Sequence, residues 1–230
     1  MKKISLIFSF VVLFALGGNA QSGNFRIGLK LGPTFDWASS GSVETENDGV
    51  KLGFNAGCVI EYYLTDNIAA SSGVNFNFYR MKYRFTDYRM AEDFLYETNV
   101  SVSRQLRASC LEIPLKVKAK FDIAGLFDAY VEAGGSLGFN LKDYGKDEFS
   151  QHWTEFHGDF YEDCTNQYRA FQPSLIFGVG AEYELNQLLS VFAQLTFNHA
   201  FLNAFVSSLE KQTGSILRNN FIGIEVGIML

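Results

Sequence analysis

The side chains best placed to do chemistry form one mixed group: Arg26, Lys30, Lys116 and Lys118 against Glu61, Glu112, Glu132, Glu182 and Glu225. All occupy the polar parity of alternating segments, so one confined face collects them. Carboxylates and amines crowded together either relay protons and ions or lock into pairs, and burial favours pairing because an isolated buried charge is too costly to keep. A second acidic group spans 142–168, where Asp143, Asp147, Glu148, Glu155, Asp159, Glu162 and Asp163 outweigh Lys142 and Lys146 to a net −5. His152 and His157 lie within it, but their His-Trp-Thr-Glu-Phe-His spacing differs from His-Glu-x-x-His, which sets both imidazoles on one helical turn for zinc. The segment reads as a solvated acidic surface with no specific metal site and no cofactor. The chemistry left to it is weak Ca²⁺ binding or contact with a basic partner. Together with His199 these are the only histidines, and no Ser or Asp is tied to them in a catalytic motif, so no enzyme is expected. Cys110 and Cys164 fall on one side of their flanking apolar segments and, in an oxidising compartment, are candidates for a disulfide stapling the acidic segment to the rim. Cys58 sits on the apolar parity, where a small thiol needs no partner.

The elements that position these groups are strands. Period-two alternation marks eight segments: 25–32, 51–64, 68–78, 111–120, 127–141, 171–185, 189–198 and 222–230. In the first, Phe25, Ile27, Leu29 and Leu31 alternate with Arg26, Gly28, Lys30 and Gly32; in the fourth, Leu111, Ile113, Leu115, Val117 and Ala119 alternate with Glu112, Pro114, Lys116, Lys118 and Lys120. Ile176 and Phe192 break the pattern by standing on the polar parity. Short turns near 65–67, 122–126 and 186–187 alternate with long connections at about 36–50, 80–107, 142–168 and 199–218. Tight returns at one end and loose ones at the other, over an even number of antiparallel strands, describe an up-and-down barrel.

Residues 1–20 join Lys2 and Lys3 to an apolar stretch from Ile4 to Leu16 and a small-residue end at Ala20, the pattern of a signal peptide cleaved before Gln21. The remaining 21–230 form one domain. Losing two lysines while keeping all 25 acidic residues leaves it a net charge of about −8. With no basic tract, nucleic acid is an unsuitable partner. No later apolar run approaches the ~20 residues of a spanning helix.

The polar face is rich in glycine, including Gly28, Gly32, Gly53, Gly57, Gly134, Gly138, Gly178 and Gly227. Small residues suit the crowded interior of a narrow barrel, whereas a water-facing strand loses stability by having them. The apolar face, nearly free of charge, therefore points to lipid. The expected fold is all-β: an eight-stranded antiparallel up-and-down transmembrane β-barrel with short periplasmic turns and long extracellular loops. Closure is required, since an open edge in hydrocarbon strands unpaired backbone groups. An interior of this girth holds little beyond its own side chains, which makes a wide pore unsuitable.

The opening Phe25-Arg26-Ile27-Gly28-Leu29-Lys30-Leu31-Gly32, the 52–64 strand, Leu111-Glu112-Ile113-Pro114-Leu115-Lys116 and Phe177-Gly178-Val179-Gly180-Ala181-Glu182-Tyr183 resemble the PorT-like porin superfamily of outer-membrane barrels, common in Bacteroidetes. The resemblance covers 25–230 and is most specific in the Leu-Glu-Ile-Pro-Leu strand. It implies an integral outer-membrane barrel, with periplasmic termini and outer-membrane lipid as its surroundings, and it extends to secretion-system components. Leu230 departs from the terminal aromatic common in such barrels. The expected role is binding, adhesion or envelope assembly through the extracellular loops of a monomer. An accessory part in protein secretion is the alternative, and a narrow channel the weaker one.

Overall fold

The computed structural model describes residues 24–41, 45–87, 100–149, 161–186, 188–206 and 216–230. Residues 1–20, expected to be an export signal, and the pair His152 and His157 lie outside the described residues. Ten strands follow in order: β1 Phe25–Ser40, β2 Thr45–Asn47, β3 Lys51–Tyr63, β4 Ile68–Asp87, β5 Val100–Ile123, β6 Phe127–Phe149, β7 Glu162–Asp163, β8 Phe171–Asn186, β9 Leu189–Ala200 and β10 Leu217–Met229. The eight long ones each pair antiparallel with their chain neighbours, and β1 pairs with β10, so the sheet closes into an eight-stranded up-and-down barrel. Reciprocal bonds between Ile27 and Leu230, 3.1 and 2.8 Å, complete the seam. Leu230 holds the last outward position through its backbone, which any side chain allows. Tight turns are self-capped at the end that holds the termini: Thr65 Oγ1 accepts from Ile68 N–H at 3.1 Å, and Asp122 Oδ1 accepts from Gly125 N–H at 2.8 Å, where φ of +69° favours glycine.

The two faces sort as the alternation requires of a barrel in lipid. Leu29 and Phe76 point outward with 51% and 48% exposure, while Glu182 and Glu225 point inward with 1% and 0%. Outward Phe25, Tyr62, Phe121, Phe127 and Tyr183 ring one end; Phe35, Phe54, Phe78, Phe139, Phe171 and Phe197 ring the other. Phe25 to Phe35 is ten steps of about 3.3 Å, or about 25 Å of height at a strand tilt near 40°, the depth of an outer-membrane apolar band. Glycine allows the interior to fill: a Cβ on Gly32 would stand 1.9 Å from Ile224 O, and one on Gly134 would stand 2.1 Å from Leu115 O.

The connections expected at 80–107 and 142–168 take up strand where they are described: β4 runs on to Asp87, β5 starts at Val100 and β6 reaches Phe149. At the upper aromatic ring the pattern changes phase. Outward Phe76 and Phe78 give way to outward Arg80 and Arg84, and the apolar residues move inside as Tyr79, Met81 and Tyr83. The outside has changed from lipid to water, so the apolar parity inverts. This upper storey rises roughly 20 Å above the ring. Its flanks are covered by β2 on β4 and β7 on β6.

Candidate functional site

Inside the spanning section the charges interlock. Glu182 is the hub: it accepts from Arg26 and lies 3.1 Å from Lys118 Nζ and 3.4 Å from Lys120 Nζ. Lys118 also reaches Glu61 at 2.7 Å, and Lys120 reaches Asp128 at 2.9 Å. Arg26 donates a further bond to Ser190 Oγ at 2.6 Å, and the Tyr63 hydroxyl donates to Glu61 at 3.1 Å. Higher up, Lys116 pairs with Glu132 at 2.6 Å and Lys30 with Glu225 at 2.9 Å. Gln194 and Thr196 donate to the same Glu225 oxygen at 2.5 and 3.1 Å. All these groups come from alternate positions on β1, β3, β5, β6, β8, β9 and β10, which is why one parity collects them.

Eight of the nine charges expected in the lumen meet an opposite charge. Glu112 differs: it is held by neutral donors, Asn75 at 3.0 Å, Ser136 at 3.1 Å and Asn198 at 2.9 Å. Sequence reasoning missed Lys120 as the third cation on Glu182, though it follows Lys116 and Lys118 on the same parity. It also missed the aromatic members of the lumen: Tyr130, stacked under Lys118 Nζ at 4.1 Å, and Phe192, which is why the latter stands on the polar parity. A lattice of short pairs between narrow walls binds its own charges rather than a passing ion.

Above the upper ring the interior is mostly apolar and plugged. Met81, Tyr83, Leu106, Cys164, Tyr168, Phe205 and Leu217 form one buried cluster. The segments 164–170 and 201–206 fold into the mouth, joined where Gln167 O accepts from Val206 N–H at 3.0 Å and Ala204 O from Arg169 N–H at 2.7 Å. Tyr83 and Tyr168 hydroxyls meet at 2.5 Å. Arg104 closes the top with a two-pronged bond to Asp147, 2.5 and 2.6 Å, and a third to Gln167 at 2.7 Å.

Burial displaces several titratable groups in this storey, the Tyr83 and Tyr168 hydroxyls upward and, more consequentially, Asp143 and Cys164. Burial, aided by the nearby Asp163 charge, pushes the Asp143 carboxyl up to about 7, and neither of its oxygens has a partner among the described residues. Burial pushes the Cys164 thiol up to about 11. The bridge between Cys110 and Cys164 is not made. Their sulfurs pack over Gly138 and Gly145 of β6, each 3.2 Å from where a Cβ would stand. Those glycines lie roughly 20 Å apart along the strand, whereas a disulfide holds its Cα atoms about 6 Å apart. Cys58 faces outward, as its parity requires. His199 is the one histidine among the described residues; its Nδ1 is 2.5 Å from Asn220 Oδ1 and its ring stacks on Phe197, a structural placement.

A family model described as outer membrane protein β-barrel domain matches residues 19–208. No curated protein matches the sequence significantly. Among solved structures, the outer membrane protease OmpT of Escherichia coli aligns with a TM-score of 0.53 at 11% identity, over 91% of this chain and 97% of that one. Neisserial surface protein A aligns with a TM-score of 0.45 at 14% identity, over 90% and 96%. The amino-terminal β-barrel domain of Pseudomonas aeruginosa OprF aligns with a TM-score of 0.38 at 12% identity, over 90% and 98%. At such identity the likeness to OmpT is one of fold alone.

Proposed function

The chain belongs to the outer membrane protein β-barrel domain family, and from that premise we propose that it is a monomeric outer-membrane barrel working through its extracellular storey, in binding, adhesion or envelope assembly. The observation that carries this reading is the contrast between its two halves. The spanning section spends its interior on paired charges, while the strands β4, β5 and β6 continue past the membrane as a braced platform. A channel has no use for the second feature and is obstructed by the first. The outer-membrane location follows from the family, and export is assigned to residues 1–20, with the mature chain starting at Gln21. Intact mass of the protein from membranes tests that start.

The Leu111-Glu112-Ile113-Pro114-Leu115-Lys116 resemblance supports a second reading, an accessory role in PorT-like protein secretion. A deletion strain separates the two. Lost surface binding with an unchanged set of secreted proteins supports the platform reading, and lost secretion with intact surface binding supports the other. Steady conductance steps from the purified protein in planar bilayers would overturn both in favour of a pore.

A further inference from the structure

We propose that the outward face of β4, β5 and β6, just above the upper aromatic ring, binds the phosphate groups of outer-leaflet glycolipid. Arg80 of β4 lies directly opposite Arg107 of β5, and Arg107 directly opposite Tyr144 of β6. Lys142 stands one outward position lower on β6, in the row of Phe78 and Ser109. Like charges directly opposite on adjacent strands repel, so an Arg–Arg pair with nothing between is unfavourable without a counter-anion.

The neighbouring rows show what neutralisation looks like on this surface. Two steps higher, Lys82 lies 3.2 Å from Asp48 and 3.3 Å from Glu148, and Arg84 lies 3.0 Å from Asp48. Arg80, Arg107 and Lys142 have no carboxylate within salt-bridge distance among the described residues. The chain carries a net charge of −6, so acidic partners are not scarce. Asp163 acts on Lys142 only at longer range, beyond salt-bridge distance. Arg107 is held in place by the Tyr161 ring, 3.8 Å below its guanidinium, which leaves the donor edges of the fork free of hydrogen bonds among the described residues. Lys142 Nζ is steadied by the Tyr144 hydroxyl at 3.4 Å.

Height selects the occupant. Lys142 stands level with Phe78 and the two arginines two residues above it, where lipid headgroups begin. Guanidinium forks match phosphate geometry, and a headgroup phosphate tethered by its acyl chains to the apolar band below arrives at that level without further recognition. The site depends on the barrel being in the outer membrane and not on what the loops bind.

The test uses the full mature protein folded in phosphatidylcholine vesicles doped with bisphosphorylated lipid A, with retention of lipid A measured after detergent extraction. Wild type is compared with the triple variant R80Q/R107Q/K142Q and with K82Q/R84Q, whose cations are already neutralised. The heat-dependent gel shift reports that each variant is folded. The triple variant should retain lipid A at least tenfold less, on the order of a hundredfold for three surface cations, while K82Q/R84Q stays within about threefold of wild type. Dephosphorylated lipid A should be retained no better than phosphatidylcholine. Three results overturn the proposal: a folded triple variant that retains lipid A as wild type does, equal retention of the dephosphorylated lipid, or displacement by millimolar inorganic phosphate, which would make this a free-anion site. A fourth would overturn it as well: tight binding of soluble heparin without preference for lipid A, which assigns the face to a polyanion.

Discussion

Replacing Glu182 with Gln keeps the shape of the hub and removes its charge, leaving Arg26, Lys118 and Lys120 around a neutral amide. Lys118 retains Glu61 and Lys120 retains Asp128, but Arg26 is left with Ser190 and Tyr63 only. Because Glu182 has a fully covered side chain, the stranded cations gain little from water. Removing one member of a buried pair costs about 3–5 kcal/mol. With a urea dependence of about 2–3 kcal/mol per molar, the unfolding midpoint in vesicles should fall by about 1–2 M. The assay is urea titration of the vesicle-embedded protein, followed by the gel shift and tryptophan fluorescence. Glu148→Gln is the matched control: its bond to Lys82 is at the rim, part-exposed, and worth no more than about 1 kcal/mol. If Glu182→Gln unfolds at the same urea concentration as that control, the lumen must be wet enough to screen its charges. The packed-interior argument would then fail, and the case against a channel with it.

The interior glycines give a second contrast. Gly32→Ala should lower the folded yield and the urea midpoint, at about 1–3 kcal/mol, since its methyl meets the backbone of β10. Gly223→Ala, whose Cβ would stand 3.5 Å from Thr34 Cγ2, should change little. Thiol titration of the unfolded, non-reduced protein should count three; a count of one would restore the bridge between Cys110 and Cys164. In the folded protein, Cys164 should resist iodoacetamide at pH 8 and gain reactivity only as pH approaches 11. Asp143 sets a pH dependence. Its folded pKa of about 7 lies above the unfolded value, so the stability of the upper storey should decline from about pH 4 to pH 7 and then level off. Asp143→Asn should lessen that decline and stabilise the protein at pH 7 by up to about 4 kcal/mol, read from urea midpoints across the range; a variant whose midpoint falls as steeply as wild type from pH 4 to pH 7 would contradict it.

The spanning barrel was legible because lipid enforces one rule on every strand: Leu29, Phe76 and Val131 must face out, so Lys30, Asn75 and Glu132 must face in. The tight turns were legible from Thr65-Asp66-Asn67 and the stretch around Gly125. The upper storey was not. A reader following Phe76 and Phe78 meets Tyr79, Met81 and Tyr83 on the opposite parity and reads the break as the end of a strand. The backbone continues unbroken; only the solvent outside changes. Glu112 was misjudged for a related reason, since alternation shows that it points inward but not which neighbours lie beside it. Those neighbours, Asn75, Ser136 and Asn198, come from three other strands and are fixed by register. Ile176 and Phe192, irregular as sequence, are ordinary once the lumen is seen to contain apolar layers.

The change of phase at Phe78 also works as a waterline. A protein whose outer surface switches from phenylalanine to arginine between adjacent outward positions cannot ride freely up or down. Sinking by one outward step would draw Arg80 and Arg107 toward hydrocarbon, at a cost of up to about 1 kcal/mol each near the interface that grows with depth. Rising by the same step would lift Phe78, Phe139 and Phe171 into water. The cationic mark is painted on one side of the hull only, along β4, β5 and β6, so it resists listing toward that side more than toward the seam of β1 and β10. The barrel is therefore held at a set draught and trim, and the platform meets the cell's surroundings at a fixed height and angle.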